Sequence, residues 1–213
     1  MRKSLRLFFI FITVLFVLSA FRETAIANAM PFYALSPEKI VTRAKFSTDY
    51  STSSDERKHN VELAAKALDK TFIDVGGEFS FNATVGERSE RRGYKNAKII
   101  KEGEFADGVG GGVCQVSTTL YNALLLADIK ITEFHPHSLA VSYVLPSFDA
   151  MVSYGYADLK AKNNTKNPII IYTETDGNKI TVKICGQPLN VTVIRKSVIT
   201  GEIPIPKDVT LID

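Results

Sequence analysis

Apolar and polar residues alternate along the second half of this 213-residue chain, and this alternation limits the folds that are open to it. The two clearest segments, 168–176 and 179–186, are separated by the tight-turn sequence Asp176-Gly177-Asn178. Alternation is typical of antiparallel strands with one buried face, and a turn this short joins only antiparallel neighbours. Four more segments have a strand-like pattern: 129–134, 137–144, 150–155 and 189–198. The sequence therefore predicts an antiparallel sheet in this half.

Helical periodicity comes before the predicted sheet. Residues 55–70 carry apolar residues at helical spacing, and Ser53 followed by Glu56 is typical of a capping box. A second helix is predicted over 114–127, and the segment EFSFNATVG at 78–86 predicts a short strand that ends in a turn. Because no β–α–β alternation or internal repeat is found, the expected fold class is α+β, with N-terminal helices packed on an antiparallel sheet.

The first 29 residues have the pattern of a secretory signal peptide. Three basic residues precede a mostly apolar run of 15 residues from Leu7 to Phe21, and small residues follow the run. The alternative is an uncleaved anchor, although a spanning helix requires roughly 20 apolar residues. Four segments are therefore expected: a signal peptide (1–29), a linker with one strand near 40–46 (30–54), a main domain (55–186), and a C-terminal strand and tail (187–213).

The charge balance argues against nucleic-acid binding. The whole chain has 26 Lys and Arg residues against 23 Asp and Glu residues, and the predicted leader holds four of the former and one of the latter. Residues 30–213 therefore contain 22 of each, with no basic stripe of the kind that nucleic-acid binding requires. We expect a secreted or cell-envelope protein that contacts a membrane only if its leader is not cleaved.

The segment GVGGGVCQV places Cys114 shortly after a run of three glycines. Glycines remove side-chain cover and let backbone N–H groups converge on the residues that come next in the chain. Cys114 also falls in the first turn of the predicted helix, where partial positive charge and free N–H groups favour a thiolate. The pattern predicts a reactive cysteine, and a buried packing cysteine is the alternative.

A cysteine nucleophile needs a histidine as base and usually a third group that orients the histidine. If segments 137–144 and 150–155 form a hairpin, Asp158 falls beside His137, whereas Asp149 lies roughly 30 Å away at about 3.3 Å per residue. The expected catalytic set is therefore Cys114 as nucleophile, His137 as base and Asp158 as orienter, with Asp149 as the alternative orienter.

This order along the chain is that of papain-like thiol enzymes of the transglutaminase type: a cysteine on a helix, a histidine on one strand and an aspartate on the next. The analogy concerns order only. Asn163 or Asn164 could replace the aspartate as the orienting group.

Two other uses of these residues stay open. In an oxidising compartment Cys114 and Cys185 could form a disulfide that closes a long loop. His135 and His137 could bind zinc together with Cys114 and leave one position open, although Pro136 between them disturbs regular strand pairing. No cofactor is expected in the other interpretations.

Four stretches of the sequence together resemble the VanW family of bacterial envelope proteins: GEFSFNATVG, GGGVCQVSTTLYNALL, HPHSLAVSYV and FDAMVSYGYADLKAKNNT. The resemblance covers roughly residues 46–186. The family pattern falls on Cys114, His137, Asp149 and Asp158. It also falls on six residues that are the expected substrate-binding set: Gly110, Gly111, Gly112, Gln115, Ser117 and Thr118. This chain has Glu133-Phe134 where the family often has an arginine shortly before the histidine, which weakens any role for a cation there.

The resemblance implies a role at the cell wall, because VanW proteins are associated with glycopeptide-resistance gene clusters and with exported proteins that carry peptidoglycan-binding domains. Three functions are compatible with it. The first is a secreted thiol enzyme that acts on amide or peptide bonds of peptidoglycan, with oxyanion donors near Gly111, Gly112 and Gln115. The second is a non-catalytic module that binds wall peptides in the same glycine-lined groove. The third is the zinc site.

Overall fold

The computed structural model describes residues 40–101 and 103–196. Within these ranges the chain forms nine strands: β1 (Val41–Asp49), β2 (Thr71–Ile73), β3 (Glu78–Ser80), β4 (Asn96–Lys101), β5 (Glu104–Val109), β6 (Lys130–Glu133), β7 (Lys160–Lys162), β8 (Ile169–Thr175) and β9 (Lys179–Gly186). The helices are α1 (Asp55–Leu68), α2 (Phe81–Val85) and α3 (Val113–Leu126), with a 3-10 turn at Glu90–Arg92. The predicted leader and the end of the predicted tail lie outside the described residues.

The main sheet has four antiparallel strands in the order β1-β9-β8-β2. Strands β8 and β9 form the predicted hairpin, in which the Asp176 carboxylate accepts hydrogen bonds from the backbone N–H groups of Asn178 and Lys179. Helix α3 packs against β1 and β9, and helix α1 packs against β8. The predicted α+β class is confirmed. The papain-like order stays a prediction.

Strand β1 completes one edge of the main sheet. It begins close to the predicted strand at 40–46 but continues to Asp49, and it pairs with β9 over its full length. Residues that the sequence analysis placed in the linker are therefore part of the sheet that supports α3.

Helix α1 begins one residue later than the capping box predicts. Ser54 is the capping residue, and its hydroxyl accepts a hydrogen bond from the backbone N–H of Arg57 at 3.4 Å. The Ser53 hydroxyl instead accepts a hydrogen bond from the Arg57 guanidinium. The buried face of the helix contains Asn60, Val61, Ala64, Ala65 and Leu68.

Two small sheets flank the helices. Strands β3, β7 and β6 form one of them, and β4 and β5 form an antiparallel hairpin that the sequence analysis does not identify. The predicted strand at 78–86 ends early, because the Ser80 hydroxyl accepts the Ala83 N–H and starts helix α2. No helix in the described ranges is long and apolar enough to cross a membrane.

Segments 137–144 and 150–155 are not strands, contrary to the prediction, and they do not form a hairpin with each other. The chain between β6 and β7 is irregular, apart from one bridge between Ser153 and Ala157. Residues 189–196 are also irregular, so the predicted strand at 189–198 is wrong over its described part.

Buried polar side chains of α3 take the place of a strand partner for the irregular segment. The Asn122 amide donates to the carbonyl of Phe148 at 2.7 Å. The hydroxyls of Ser117 and Thr118 both contact the backbone of Ala150. Because buried backbone groups need partners, these side chains hold residues 148–150 against the helix without a sheet ladder.

Candidate functional site

Cys114 is the second residue of α3, so its predicted position in the first turn of a helix is confirmed. The thiol is half-buried and donates a hydrogen bond to the Val152 carbonyl at 3.4 Å. Cys185 is a separate free cysteine, buried on β9, with its sulfur 3.8 Å from the Thr42 hydroxyl. The alternative of a disulfide between the two cysteines is therefore wrong for this structure.

The His137 ring lies between Cys114 and Asp149. Its Nδ1 atom is 2.8 Å from Asp149 Oδ2, and the same oxygen accepts the His137 backbone N–H at 2.6 Å. The ring also interacts with the Cys114 side chain, and this interaction contributes to the raised pKa of His137. Because Asp149 occupies Nδ1, Nε2 is the ring nitrogen that stays available to the sulfur. The three side chains form a cysteine–histidine–aspartate array.

Burial and hydrogen bonding have opposite effects on the pKa values of His137 and Asp149. Burial lowers the pKa of His137, but its hydrogen bonds and charge interactions with Asp149 and Cys114 outweigh this effect and raise the pKa to about 9. Burial raises the pKa of Asp149, yet the hydrogen bonds and charge of His137 hold it below its ordinary value. At neutral pH the pair is imidazolium and carboxylate, with 5% and 12% of the side chains exposed.

Asp158 does not orient His137, contrary to the prediction. Its carboxylate accepts hydrogen bonds at the start of α2 and β7, from Ser80 Oγ at 2.5 Å and from the backbone N–H groups of Asn82 and Leu159 at 2.9 Å. The prediction depended on a hairpin that does not form. Asp149, named as the alternative orienter, is the aspartate in contact with His137.

The two asparagines considered as orienters also have other partners. The buried Asn163 amide donates to the carbonyls of Ile73, Asp74 and Asn167. Asn164 accepts the backbone N–H of Lys130 at 2.9 Å. Asn163 therefore links the end of β7 to the end of β2, and Asn164 links the following residue to β6.

The three glycines before α3 allow close packing around the nucleophile. A Cβ atom at Gly111 would lie 2.5 Å from the Lys98 carbonyl oxygen on β4. At Gly110, a Cβ would lie 2.8 Å from Arg88 Cβ. At Gly112, which caps α3 with a φ of +104°, a Cβ would lie 3.0 Å from Arg57 Cγ. The glycines thus leave room for arginine side chains from two other segments.

Arg57 and Arg88 both interact electrostatically with Cys114. Arg57 Nη1 donates to Ser53 Oγ and Gln115 Oε1 at 2.8 Å each. Arg88 Nη1 donates to Asn82 Oδ1 at 2.7 Å and to the Gly86 carbonyl at 2.9 Å. Burial is the largest effect and lowers the pKa of both guanidiniums. Electrostatic interactions oppose it, with Tyr143 and Cys114 for Arg57 and with Cys114, Tyr94 and Asp158 for Arg88.

Tyr143 is a further member of the site that the sequence analysis missed as a functional residue. Burial, followed by the charge of Cys114, raises the pKa of Tyr143 far above its usual range. Interactions with the Thr118 side chain and Arg57 oppose this shift, and the interaction with Asp149 adds to it. The phenol therefore stays protonated and can donate a hydrogen bond.

Three side chains that the sequence analysis placed along a substrate groove lie in the core instead. Gln115 is 1% exposed, and its amide donates to Thr48 Oγ1 and to the Asp49 carbonyl while its oxygen accepts from Arg57. Ser117 and Thr118 are fully buried against Ala150. The Gln115 side chain therefore has no free donor for an oxyanion, and the expectation of a side-chain groove here is wrong.

The zinc interpretation does not fit the geometry. His135 Nε2 is 3.1 Å from Glu133 Oε1, and Nδ1 of His137 is occupied by Asp149. In the described part of the chain, no group of three His, Cys, Asp or Glu side chains is arranged to hold a metal ion.

The sequence around Arg57, Arg88 and Tyr143 gives little indication that they belong to the site. Arg57 occupies an ordinary polar position of an amphipathic helix, and Arg88 lies in a turn of mixed charge. Tyr143 lies in the stretch HPHSLAVSYV, where the resemblance to a family is the one available signal.

Comparison with known proteins gives two curated relatives. The family described as VanW like protein matches residues 56–185, which include the whole array. The relative named Uncharacterized protein YoaR, from Bacillus subtilis (strain 168), is 38% identical over 152 residues, which is 71% of this chain and 50% of the relative. The second, Vancomycin B-type resistance protein VanW from Enterococcus faecalis (strain ATCC 700802 / V583), is 30% identical over 131 residues, 59% of this chain and 48% of the relative.

The chain thus spans about half the length of the curated relatives it matches. No solved structure gives a significant match.

Proposed function

This chain belongs to the VanW family, and from that premise we propose that its domain is a cysteine-dependent enzyme that hydrolyses or transfers amide or peptide bonds of peptidoglycan. The observation that carries the proposal is the array of Cys114, His137 and Asp149. A nucleophile, a histidine that interacts with it, and an acid that orients the histidine are the parts that covalent acyl transfer requires.

The proposed reaction has two steps. The Cys114 thiolate attacks the carbonyl carbon of the scissile amide and forms a thioester, while the amine leaves with a proton from the His137 imidazolium. Water or an acceptor amine then attacks the thioester carbon, and His137 accepts the proton of the attacking group. The C–S bond breaks, which releases the acid or the new amide and restores the Cys114 thiolate. The raised pKa of His137, about 9, suits its role as proton donor in the first step.

Two donors are available for the oxyanion that forms in each step. The backbone N–H of Cys114 lies in the first turn of α3, where helix geometry leaves N–H groups without a partner in the helix. The protonated hydroxyl of Tyr143 interacts with the same sulfur. They are proposed instead of the Gln115 side chain, whose amide donors are both used inside the core. Each oxyanion donor is worth roughly 10²–10³ in rate in well-studied enzymes.

Asp149 is the positioning residue of the array. It holds His137 through both the ring and the backbone, so the imidazole keeps the tautomer that presents Nε2 to the sulfur. Asp149 remains ionised in this pair and stabilises the imidazolium rather than taking part in proton transfer.

The substrate class and the location have separate support. The printed name of the Enterococcus relative concerns vancomycin resistance, and the family resemblance implies proteins of the bacterial envelope. The leader pattern at 1–29 favours export. An extracytoplasmic protein that meets peptidoglycan or wall peptides is consistent with these three observations.

The test is to incubate the purified chain with soluble peptidoglycan fragments and to follow their masses, with Cys114→Ser and His137→Gln as variants. A serine has a nearly equal volume but a far less acidic group, so cleavage or transfer should fall by orders of magnitude while the fold is kept. His137→Gln should cause a similar loss, and the double variant should be little worse than either single variant. Cys185→Ser and His135→Gln are the matched controls and should retain activity.

The second candidate, a wall-peptide binding module, predicts a different result. In that case Cys114→Ser and the unmodified chain bind the fragments with equal affinity, and neither protein changes the mass of any fragment. Slow alkylation of Cys114 by iodoacetamide near pH 7, unchanged by His137→Gln, would also contradict the enzyme.

A further inference from the structure

Two arginines near Cys114 have donors that the described part of the protein does not use. Within it, hydrogen bonds are found for Nη1 of Arg57 and Arg88 and for none of their other nitrogens. In the described ranges, no Asp or Glu forms an ion pair with either guanidinium. Asp158 interacts electrostatically with Arg88 but does not form an ion pair with it, so both half-buried guanidiniums keep donors that an anionic ligand can use.

Both arginines are held in place by their used nitrogens. The buried Gln115 and the hydroxyl of Ser53 hold Arg57, while Asn82 and the Gly86 carbonyl hold Arg88. The missing side chains at Gly110 and Gly112 let the stems of Arg88 and Arg57 pass close to the start of α3. The two cations are therefore preorganised next to the nucleophile.

Arg88 also lies at the solvent-facing side of this region. Its guanidinium carbon is 5.9 Å from the centre of the Tyr154 ring, which is 55% exposed. Tyr154 follows Val152, the residue whose carbonyl accepts the Cys114 thiol, by two positions. The Arg88 guanidinium therefore lies near an exposed ring of the same chain segment that contacts Cys114.

We propose that Arg57 and Arg88 form a carboxylate-binding subsite, so that the substrate of Cys114 is a peptide with a carboxylate adjacent to the scissile bond. This inference rests on the proposed function and narrows its substrate class. A guanidinium fork matches the geometry of a carboxylate through paired N–H donors. The carboxylate belongs to a free C-terminus or to an acidic side chain, which share this chemistry.

Iodoacetate and iodoacetamide test the subsite without a known substrate. Both alkylate a thiolate by displacement of iodide, and they differ in that one carries a carboxylate where the other carries a neutral amide. We expect the ratio of the iodoacetate rate to the iodoacetamide rate at Cys114 to fall on the order of tenfold in Arg88→Gln. Mass mapping of the Cys114 peptide separates this reaction from any at Cys185.

Two variants separate carboxylate binding from a general effect of charge. Arg91→Gln removes an equal charge from an exposed position three residues away and should leave the ratio unchanged. Arg88→Lys keeps the charge but loses the paired donors, so the ratio should be intermediate. Arg57→Lys should also lower the ratio. A melting curve of this variant serves as the control for folding.

Protection experiments distinguish the two sources of the carboxylate. N-acetylglycine presents a C-terminal carboxylate, the α-amide of N-acetylaspartate presents a side-chain carboxylate, and N-acetylglycinamide presents neither. We expect one or both carboxylates to slow alkylation of Cys114 by iodoacetamide, the neutral amide to have no effect, and Arg88→Gln to abolish the protection.

Equal rate ratios in the unmodified chain and Arg88→Gln, together with no protection by either carboxylate, would overturn the subsite. If Cys114 still reacts rapidly and depends on His137, the proposed enzyme survives that result. Slow alkylation that His137→Gln does not change would instead contradict the enzyme itself.

Discussion

A single carboxylate oxygen of Asp149 accepts two hydrogen bonds from His137, one from the backbone N–H at 2.6 Å and one from ring Nδ1 at 2.8 Å. The two residues are separated by an irregular segment, and Asp149 is held by its place next to Ala150, which α3 binds through Ser117 and Thr118. The helix that carries Cys114 therefore also sets the position of the group that orients the histidine.

Replacement of the two aspartates should separate positioning from folding. Asp149→Asn should slow the alkylation of Cys114 by iodoacetamide about 10- to 100-fold near pH 7 and move its pH profile, because the imidazolium loses its carboxylate partner. Asp158→Asn should leave the rate and the pH profile unchanged in folded protein. Instead, it should lower the free energy of unfolding by about 2 kcal/mol, because a buried carboxylate that accepts several hydrogen bonds is lost. Equal alkylation kinetics in both variants would contradict the assignment of Asp149.

Stability should decrease as the pH rises from about 6.5 to 9. The folded-state pKa of His137, about 9, lies above its unfolded value, so its stabilising contribution is complete below the unfolded pKa and disappears as the pH passes through the folded pKa. Urea unfolding at several pH values measures the effect, which should be on the order of 1–3 kcal/mol. Asp149→Asn should flatten this dependence. The nearby ionisable groups are Cys114, Tyr143, Asp149 and Arg57. A stability that increases over this pH range would contradict the buried ion pair.

Gln115 should contribute to the free energy of unfolding through its buried hydrogen bonds. Gln115→Ala removes hydrogen bonds to Thr48, to the Asp49 carbonyl and to Arg57, and leaves a cavity at a position that is 1% exposed. We expect the free energy of unfolding to fall by about 2–4 kcal/mol. Gln187→Ala is the matched control, because its half-buried side chain has no hydrogen bond within the described ranges and should change stability by less than about 0.5 kcal/mol. Similar urea midpoints for the two variants would contradict this role.

Gly111 and Gly76 should respond differently to a methyl group. Gly111→Ala brings a Cβ to 2.5 Å from the Lys98 carbonyl oxygen, so strand β4 must move, and we expect a loss of about 3 kcal/mol. Gly76 has a φ of +70°, and a Cβ added there would meet no atom within 4 Å, so Gly76→Ala should lose only about 1 kcal/mol from backbone strain. Thermal melts of the two variants provide the comparison, and equal losses would show that the packing of Gly111 against β4 has no special cost.

Much of the fold can be predicted from local pattern. Alternation and the Asp176-Gly177-Asn178 turn predict the β8–β9 hairpin, and helical spacing predicts α1 and α3 to within about two residues. The same spacing correctly places Cys114 in the first turn of α3. Each of these signals lies within a short window, where side-chain spacing and backbone conformation are directly coupled.

The irregular segment between β6 and β7 has a misleading local pattern. Its alternation is that of a strand, but Ser117, Thr118 and Asn122 bind its backbone and replace the partner strand. The hairpin predicted from this alternation places His137 beside Asp158 and far from Asp149. The structure shows the reverse. The local pattern of this segment cannot predict hydrogen bonds that side chains of α3 donate to its backbone.

Residue chemistry limits a thiol nucleophile and its base to two cysteines and three histidines, and the family resemblance falls on Cys114 and His137. Long-range packing sets the rest of the site. It selects Asp149 over Asp158, turns Gln115 into the core, and brings Arg57 and Arg88 to the nucleophile through the space that Gly110 and Gly112 leave. These relationships depend on contacts between residues that are distant in the chain, and such contacts exist only after the helices and sheets have packed.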